Sequence, residues 1–355
     1  TTTLPEGIYT LRLTAVDKVF NTRIVTAKVI VGVPKFLLSI HDKLSHPDKL
    51  TVDKDGYIYV ADRENDSIKI LDHKGNFIRI GQTILSKPEG VALDEEENIY
   101  VGSRNKSVIE KFDPNGNHLA TLGQGFFNKV CGLKVDENGK IIAADRNQNL
   151  IRIFEPDGDL YNTIGQNQLD KPEDVDIWKD TQGNIFYYVA NRNEDNIKVF
   201  TENGVLVRII DCAKTLTKPD GLAVTQNGQI LIADSNNSRV VKLDKYGNIT
   251  LTINFAEGKG FNHPKGICFD ILGNLYIADS MNKRIVVFGT KLPEVADLPS
   301  EEELAKVKEE KQKEKDNQPD WVKQSLERQK QNKEDKEKWD IFGKDKNKGK
   351  NENDI

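Results

Sequence analysis

The sequence predicts an all-β fold in which one unit is repeated six times around a closed ring. The Pro-equivalent positions of the repeated unit lie 41, 42, 42, 47 and 45 residues apart. Each unit contains about four short apolar segments separated by turns that carry Gly or Asn. The last unit stops one strand short, and a segment that fits the missing strand precedes the first unit. A period of 40–50 residues with four strands per unit predicts a ring of sheets, a β-propeller.

Residues 1–33 form a separate segment ahead of the ring. Apolar and polar residues alternate over residues 9–15 and again over residues 25–33, on either side of a polar turn. This alternation predicts two antiparallel strands joined as a β-hairpin. The two strands resemble the final two strands of a bacterial Ig-like module, in which a Tyr opens the penultimate strand, and this implies that the rest of that sandwich lies upstream. The alternative is a hairpin that packs on the ring.

Residues 34–290 carry the six repeats. Representative strands are residues 90–94 for the first position, 230–234 for the second, 239–243 for the third and 75–80 for the fourth. Gly and Asn in the turns tolerate positive φ, as hairpin turns require. The inner strands are almost continuously apolar, which is typical of strands that are buried on both faces. The repeats begin at Pro47, Pro88, Val130, Pro172, Pro219 and Pro264.

The two ends of the repeat region predict how the ring closes. The sixth repeat ends at its third strand, residues 284–289, and residues 35–40 have the pattern of the missing fourth strand. Pairing these two segments removes the open sheet edges that would otherwise invite aggregation. We therefore expect six blades, the last of which is shared between the two ends of the ring.

Residues 291–355 form a charged tail. Of its 65 residues, 16 are basic and 18 are acidic, so it cannot bury enough apolar surface to fold alone. The i,i+4 pairs Glu302/Lys306 and Glu309/Lys313 predict a solvated, coiled-coil-like helix, and the rest is expected to be disordered. Large apolar residues in its second half are Trp321, Trp339, Ile341 and Phe342. They are either short anchors for a partner or isolated residues of a solvated chain.

The repeats resemble a known family. Their pattern is Pro-x-Gly followed by an apolar strand and Asp, then an apolar strand that ends in Tyr-[Val/Ile]-Ala-Asp, and it resembles the NHL repeat. The sixth copy, residues 263–270 with residues 273–279, matches best. Departures are Val130 for Pro, Lys49 and Asp174 for Gly, and a five-residue insertion near Trp178. The resemblance implies a six-bladed NHL-type propeller over residues 34–290.

In such a ring the fourth-to-first and second-to-third connections emerge on one concave face, which is the expected ligand surface. The predicted ligand-binding residues are Arg63, Arg104, Arg146, Arg192, Lys87, Lys171, Lys218, Asp62, Asp145, Asp234 and Asp279. Lys129 and the carboxylates of Asp48, Glu89, Glu173 and Asp220 belong to the same loops. Related animal propellers bind RNA on this face, but eight basic and eight acidic groups give no net field here. The balance argues against a nucleic-acid partner.

Catalytic signals are weak. The sequence predicts no metal and no cofactor. The alternative is a metal site that includes His46 and His263, which occupy equivalent turns of adjacent repeats. Zinc needs three or four ligands, and His-Pro is an ordinary turn dipeptide of this repeat. The three cysteines have no CxxC spacing, and Cys131 and Cys268 fall on first strands, where buried structural thiols are expected.

These observations favour a non-catalytic recognition or scaffold module of a bacterial surface or secreted protein. Its expected partner is a protein or another ligand bound on the loop-bearing face. One alternative is an enzyme, a metal-dependent lyase or lactonase of the propeller type. A second is a cytoplasmic scaffold that acts through its tail. The longest apolar run is a few residues, so no membrane span is expected, and the net charge is −5.

Overall fold

In a computed structural model, residues 34–41, 43–211, 215–244 and 246–293 are described in full, and residues 7–16 and 22–31 by their backbone alone. The fully described residues form six four-stranded antiparallel sheets. Neighbouring strands of a sheet are consecutive in the chain, except that the last sheet takes its fourth strand from residues 35–40. The first strands of successive sheets pack side by side in a ring. The predicted six-bladed, all-β propeller is confirmed.

The blades are numbered from the first complete repeat. Blade 1 comprises Pro47–Val52, Ile58–Asp62, Ser67–Leu71 and Phe77–Ile80, and blade 2 comprises Pro88–Leu93, Ile99–Ser103, Val108–Phe112 and His118–Leu122. Blade 3 comprises Val130–Val135, Ile141–Asp145, Leu150–Phe154 and Leu160–Ile164, and blade 4 comprises Pro172–Lys179, Ile185–Asn191, Asn196–Thr201 and Leu206–Ile210. Blade 5 comprises Pro219–Val224, Ile230–Asp234, Arg239–Leu243 and Ile249–Ile253, and blade 6 comprises Pro264–Phe269, Leu275–Asp279, Arg284–Gly289 and Lys35–Ile40. Short 3-10 turns occupy Arg63–Asn65, Arg192–Glu194, Ser235–Asn237 and Ser280–Asn282, and a two-stranded ladder joins Phe255–Ala256 to Lys259–Gly260.

The ring closes as expected. Lys35–Ile40 is the fourth strand of blade 6 and runs antiparallel to Arg284–Gly289. Ile40 pairs with Ile285, and Leu38 with Val287. The early strand therefore contributes backbone hydrogen bonds to the last blade, and its side chains join the core between blades 6 and 1.

The core lies between the blades. Each apolar cluster of the described residues combines side chains from two adjacent sheets, as Ile68 of blade 1 and Val91 of blade 2 do. The second strands are buried along their length in blades 1, 2, 3, 5 and 6. This burial on both faces explains why those segments read as continuous apolar runs in the sequence.

The insertion in blade 4 lengthens a hairpin. Its first strand has 8 residues and its second has 7, against 6 and 5 in blade 5. The indole Nε1 of Trp178 donates a hydrogen bond to the carbonyl of Gln226 in blade 5, at 3.2 Å. The extra residues thus extend the ladder and add a contact between two blades.

The segment before the ring forms an antiparallel pair, Gly7–Val16 with Thr22–Val31. Its membership of an Ig-like module stays a prediction. The predicted tail helix, its anchors and Cys212 lie outside the described residues. Among those that are described, no helix has the length and apolar character that crossing a membrane requires.

Candidate functional site: the charged mouth of the channel

Four arginines and the residues before the first strands lie in neighbouring loops. The backbone N–H groups of Arg63, Arg104, Arg146 and Arg192 donate to the carbonyls of His46, Lys87, Lys129 and Lys171, at 3.2, 3.3, 3.0 and 3.3 Å. The second-to-third and fourth-to-first connections therefore share one face, here called the loop face. The structure brings the predicted arginines and lysines together there.

The four predicted aspartates hold the loops. Asp62, Asp145, Asp234 and Asp279 are 0% exposed. Each accepts a hydrogen bond from a backbone N–H of the loop that leads into its own blade, for example Ser45 to Asp62 at 2.7 Å. Their role in binding a ligand stays a prediction. In the structure their carboxylate oxygens accept hydrogen bonds from their own blades.

The three predicted lysines link adjacent blades. The Lys87 ammonium lies 2.9 Å from Glu64. Lys171 and Lys218 reach the side-chain oxygens of Asn147 and Asn193, at 3.4 and 3.1 Å. Each lysine thus contacts the loop of the preceding blade, at the rim of the loop face.

A second set of carboxylates lies beneath the arginines. In blades 1, 2, 4 and 5 the second residue of the first strand is acidic and lies within ion-pair distance of one of the four arginines. These are Asp48, Glu89, Glu173 and Asp220, with exposures of 2, 4, 5 and 4%. The side chains of Arg63, Arg104, Arg146 and Arg192 are 18, 34, 26 and 20% exposed. These four arginines and the carboxylates beneath them are here called the mouth of the channel. A ligand that approaches the mouth from the loop face therefore meets guanidinium groups first.

The axis of the ring is bridged by one lysine. The Lys49 ammonium of blade 1 lies 2.5 Å from Asp220 of blade 5 and 3.9 Å from Asp174 of blade 4. Blades 1 and 4 face each other in a ring of six, so this contact spans the centre. Both Lys49 and Asp174 stand where the repeat has Gly. The two departures from the repeat are therefore partners.

Burial and charge oppose each other in this network. Burial raises the pKa of Glu89, but Lys129, Lys265 and Arg104 outweigh it and hold the pKa below its ordinary value. Burial and then the charges of Asp220 and Glu89 raise the pKa of Glu173. Burial raises the pKa of Asp174 to about 6, although Lys49 acts in the opposite direction. The site thus mixes carboxylates that stay charged with carboxylates that are more easily protonated.

The raised pKa of Asp174 predicts a pH-dependent stability. A carboxyl whose pKa is higher in the folded than in the unfolded state favours folding when protonated, so its contribution is lost as the pH rises from about 4 to 6. Asp174→Asn is expected to remove the part of the fall in stability between pH 4 and 6 that Asp174 causes. Urea unfolding at pH 4, 5, 6 and 7 measures it, with the exposed turn residue Asp55→Asn as the control. Equal slopes for wild type and Asp174→Asn would contradict the assignment.

The predicted histidines do not meet a common set of ligands. His46 Nε2 lies 3.0 Å from Met281 Sδ, and His263 Nδ1 lies 3.0 Å from Asn262 Oδ1. Within the described residues, three donor groups that approach within 4.8 Å of one another are Glu89, Cys131 and Glu173. Cys131 and Cys268 are buried free thiols, as predicted. Sequence reasoning did not single out Cys131 as a member of the mouth.

The fold and the repeat define the class of protein. The chain is a six-bladed β-propeller that carries NHL repeats, and the NHL repeat family matches residues 216–243 and 261–288, in blades 5 and 6. No curated protein sequence matches the chain.

Several solved structures share the fold. A catalytically inactive virginiamycin B lyase from Staphylococcus aureus, solved with quinupristin, is 12% identical with a TM-score of 0.55, over 80% of this chain and 100% of the lyase. A gluconolactonase from Xanthomonas campestris is 16% identical with a TM-score of 0.58, over 70% and 87%. The WD40 propeller domain of Doa1 is 13% identical with a TM-score of 0.53, over 74% and 99%. At these identities the likeness concerns the fold alone.

Proposed function

We propose that this chain is a non-catalytic recognition module that binds a protein partner on the loop face of the propeller. The observation that carries the proposal is the bridge from Lys49 to Asp220 and Asp174, because it occupies the axis where a propeller enzyme would need room for substrate. What remains accessible is a rim of partly exposed arginines. Arginine is enriched among the residues that dominate protein–protein binding energy.

The fold is compatible with this function, since propellers of the NHL and WD40 types commonly bind proteins. A bacterial surface or secreted location is part of the proposal, and a cytoplasmic scaffold that acts through its tail is its alternative. Reduced thiols in the native protein and a partner bound by the tail alone would favour the cytoplasmic scaffold.

The test is selection of peptides from a phage-displayed library on the full chain. Charge reversal at the mouth, Arg63→Glu or Arg192→Glu, is expected to lower the affinity of selected peptides at least tenfold. Lys54→Glu is the matched control, because Lys54 lies in a turn at the other end of the blade-1 strands and its side chain is 65% exposed. Thermal melting checks that each variant is folded. Peptides that bind all variants equally would place recognition elsewhere.

The competing function is a metal-dependent lyase or lactonase, and the cluster of Glu89, Cys131 and Glu173 is the observation that favours it. Neither His46 nor His263 joins this cluster. Elemental analysis of the purified, dialysed protein separates the two functions. An ion held in a stoichiometric amount and lost on Cys131→Ser, or on His46→Ala with His263→Ala, would support the enzyme.

A further inference from the structure

Charges around the mouth alternate from blade to blade. Arg63 lies 3.5 Å from both Asp48 and Glu89, so it bridges the carboxylates of blades 1 and 2. Arg192 bridges Glu173 and Asp220 of blades 4 and 5 in the same way, at 3.5 and 2.9 Å. Each of these two arginines therefore has a carboxylate on either side.

Blade 3 interrupts this alternation. Its position in the ring of carboxylates is taken by Cys131, a neutral thiol that donates to Glu89 at 3.1 Å. The neighbouring arginines consequently have one carboxylate partner each, Glu89 for Arg104 at 2.7 Å and Glu173 for Arg146 at 3.1 Å. They are also the two most exposed of the four mouth arginines. One negative charge is missing from the pattern between them.

Lys129 is a second, independent sign of this gap. Its side chain is 6% exposed, and the contact that its ammonium makes within the described structure is an ion pair with Glu89 at 3.9 Å, beyond hydrogen-bond distance. Lys87, Lys171 and Lys218 precede prolines and have positive φ, whereas Lys129 precedes Val130 and does not. Blade 3 thus adds a buried ammonium near Cys131, where the carboxylate is absent.

The charge balance of the mouth favours an anion over a metal ion. Seven cations face five carboxylates when Glu64, which lies 3.5 Å from Arg63, is assigned to its closer partner Lys87 at 2.9 Å. The cations are Lys49, Lys129, Lys265, Arg63, Arg104, Arg146 and Arg192, and the carboxylates are Asp48, Glu89, Glu173, Asp174 and Asp220. The arginines are partly exposed to water, but the Lys129 side chain is 6% exposed, and a buried charge is costly unless it is paired. Burial, followed by the charges of Glu89 and Glu173, raises the pKa of the Cys131 thiol, so Cys131 adds no negative charge to the mouth.

We infer that the blade-3 position of the mouth, between Arg104 and Arg146 and above Cys131, binds a ligand carboxylate supplied by an acidic segment of the protein partner. Arginine pairs with carboxylates through two parallel hydrogen bonds, and Lys129 adds a third cation behind them. The pattern lacks a single charge, which suits one Asp or Glu side chain better than a run of phosphates. This inference rests on the proposed function, since it names what the loop face recognises.

Two substitutions of Cys131 give opposite expectations. Cys131→Glu places in the chain the carboxylate that blades 1, 2, 4 and 5 have at the same position, so it should fill the site from within and abolish ligand binding. Cys131→Ser keeps the site neutral and should leave binding unchanged. Arg146→Gln should weaken binding about tenfold through loss of a charge-assisted hydrogen bond. Arg208→Gln, on the fourth strand of blade 4, is its matched control and should bind like wild type.

The experiment is calorimetric titration of the full chain with a capped tetraglutamate peptide, in parallel with inorganic phosphate and a ten-nucleotide polyuridine. Circular dichroism and thermal melting confirm that every variant is folded. Peptide binding that is lost in Cys131→Glu and kept in Cys131→Ser supports the inference. Equal peptide binding by wild type and Cys131→Glu overturns it, as does binding of polyuridine alone or of phosphate alone. A divalent ion retained by wild type and lost in Cys131→Ser overturns it in favour of a metal site.

Failure of this inference and failure of the proposed function have different signatures. If tetraglutamate does not bind but library peptides still depend on Arg63 and Arg192, recognition on the loop face stands and the carboxylate site is wrong. If neither kind of peptide depends on the mouth, both are wrong.

Discussion

Removal of residues 1–40 is expected to abolish cooperative folding of the propeller, whereas removal of residues 1–33 should leave it intact. The difference between these two truncations is the strand Lys35–Ile40, which supplies the fourth strand of blade 6. Without it, Arg284–Gly289 becomes an exposed edge with unpaired N–H and C=O groups, which promotes association between chains.

The loss is large because core side chains leave with the strand. Ile40 is 4% exposed and packs in the cluster that contains Ile285 and Val287, and Leu37 and Leu38 pack against the same cluster. Fully burying an aliphatic side chain contributes about 1.5–3 kcal/mol, which Ile40 loses, and the partly buried Leu37 and Leu38 lose smaller amounts. Against the 5–15 kcal/mol of a whole domain, this loss is a large fraction even before the broken strand pairing is counted.

Urea unfolding followed by circular dichroism measures the effect, and size-exclusion chromatography detects association. The truncation that starts at residue 34 should unfold in one transition as a monomer. The truncation that starts at residue 41 should show a broad transition or elute as aggregates. If both unfold alike, the ring does not depend on the early strand.

The architecture was predictable from the sequence because each repeat has residues that mark the start of its first strand and the positions of its turns. Every first strand begins at the proline or its equivalent, including Val130, and the deficit of one strand in the last repeat pointed to residues 35–40. Blade 4 was less predictable. The sequence showed an insertion near Trp178 but not its conformation. Trp178 and Lys179 extend the first strand and pair with Phe186 and Ile185.

Sequence reasoning also placed the arginines and lysines on one face, but it could not sort the acids by depth. It counted Asp62 and Asp48 alike, as charges that cancel basic groups. Asp62 accepts a hydrogen bond from a loop N–H and forms an ion pair with Lys69 at 2.9 Å, both within its own blade. Asp48 instead lies in the mouth and forms an ion pair with Lys265 at 2.7 Å. Which acid faces the axis depends on the register of the first strand, and this register becomes visible only when the strands are paired.

One signal for the site was present in the sequence. Lys49 and Asp174 were visible as departures from the glycine of the repeat. At the equivalent position of blade 6, a Cβ on Gly266 would lie 2.5 Å from the carbonyl of Asp48, so small residues let the inner strands approach. Blades 1 and 4 face each other in a ring of six, and they carry opposite charges where the repeat has Gly. Once the number of blades is known, these charges predict an ion pair across the axis.

Replacing Lys49 with Met is expected to destabilise the fold by up to roughly 3–5 kcal/mol, because two buried carboxylates lose the ammonium that they share. Asp220 keeps Arg192 at 2.9 Å, whereas Asp174 loses its ion-pair partner on the axis. Asp220 and Asp174 have side chains that are 6 and 7% exposed, so water cannot replace the ammonium. The attraction to Lys49, followed by Lys265 and Arg192, overcomes burial and lowers the pKa of Asp220, and the part that Lys49 contributes disappears with its ammonium.

Urea unfolding at pH 7 measures the change, and Lys54→Met is the matched control. Lys54 also forms an ion pair, with Glu97 at 2.9 Å, but its side chain is 65% exposed, and exposed pairs contribute about 0–1 kcal/mol. The double variant Lys49→Met with Asp220→Asn should recover part of the loss, because it removes the stranded charge along with its partner. If Lys49→Met costs no more than Lys54→Met, the bridge does not hold the axis closed. The main structural support for a recognition module over an enzyme would then be lost.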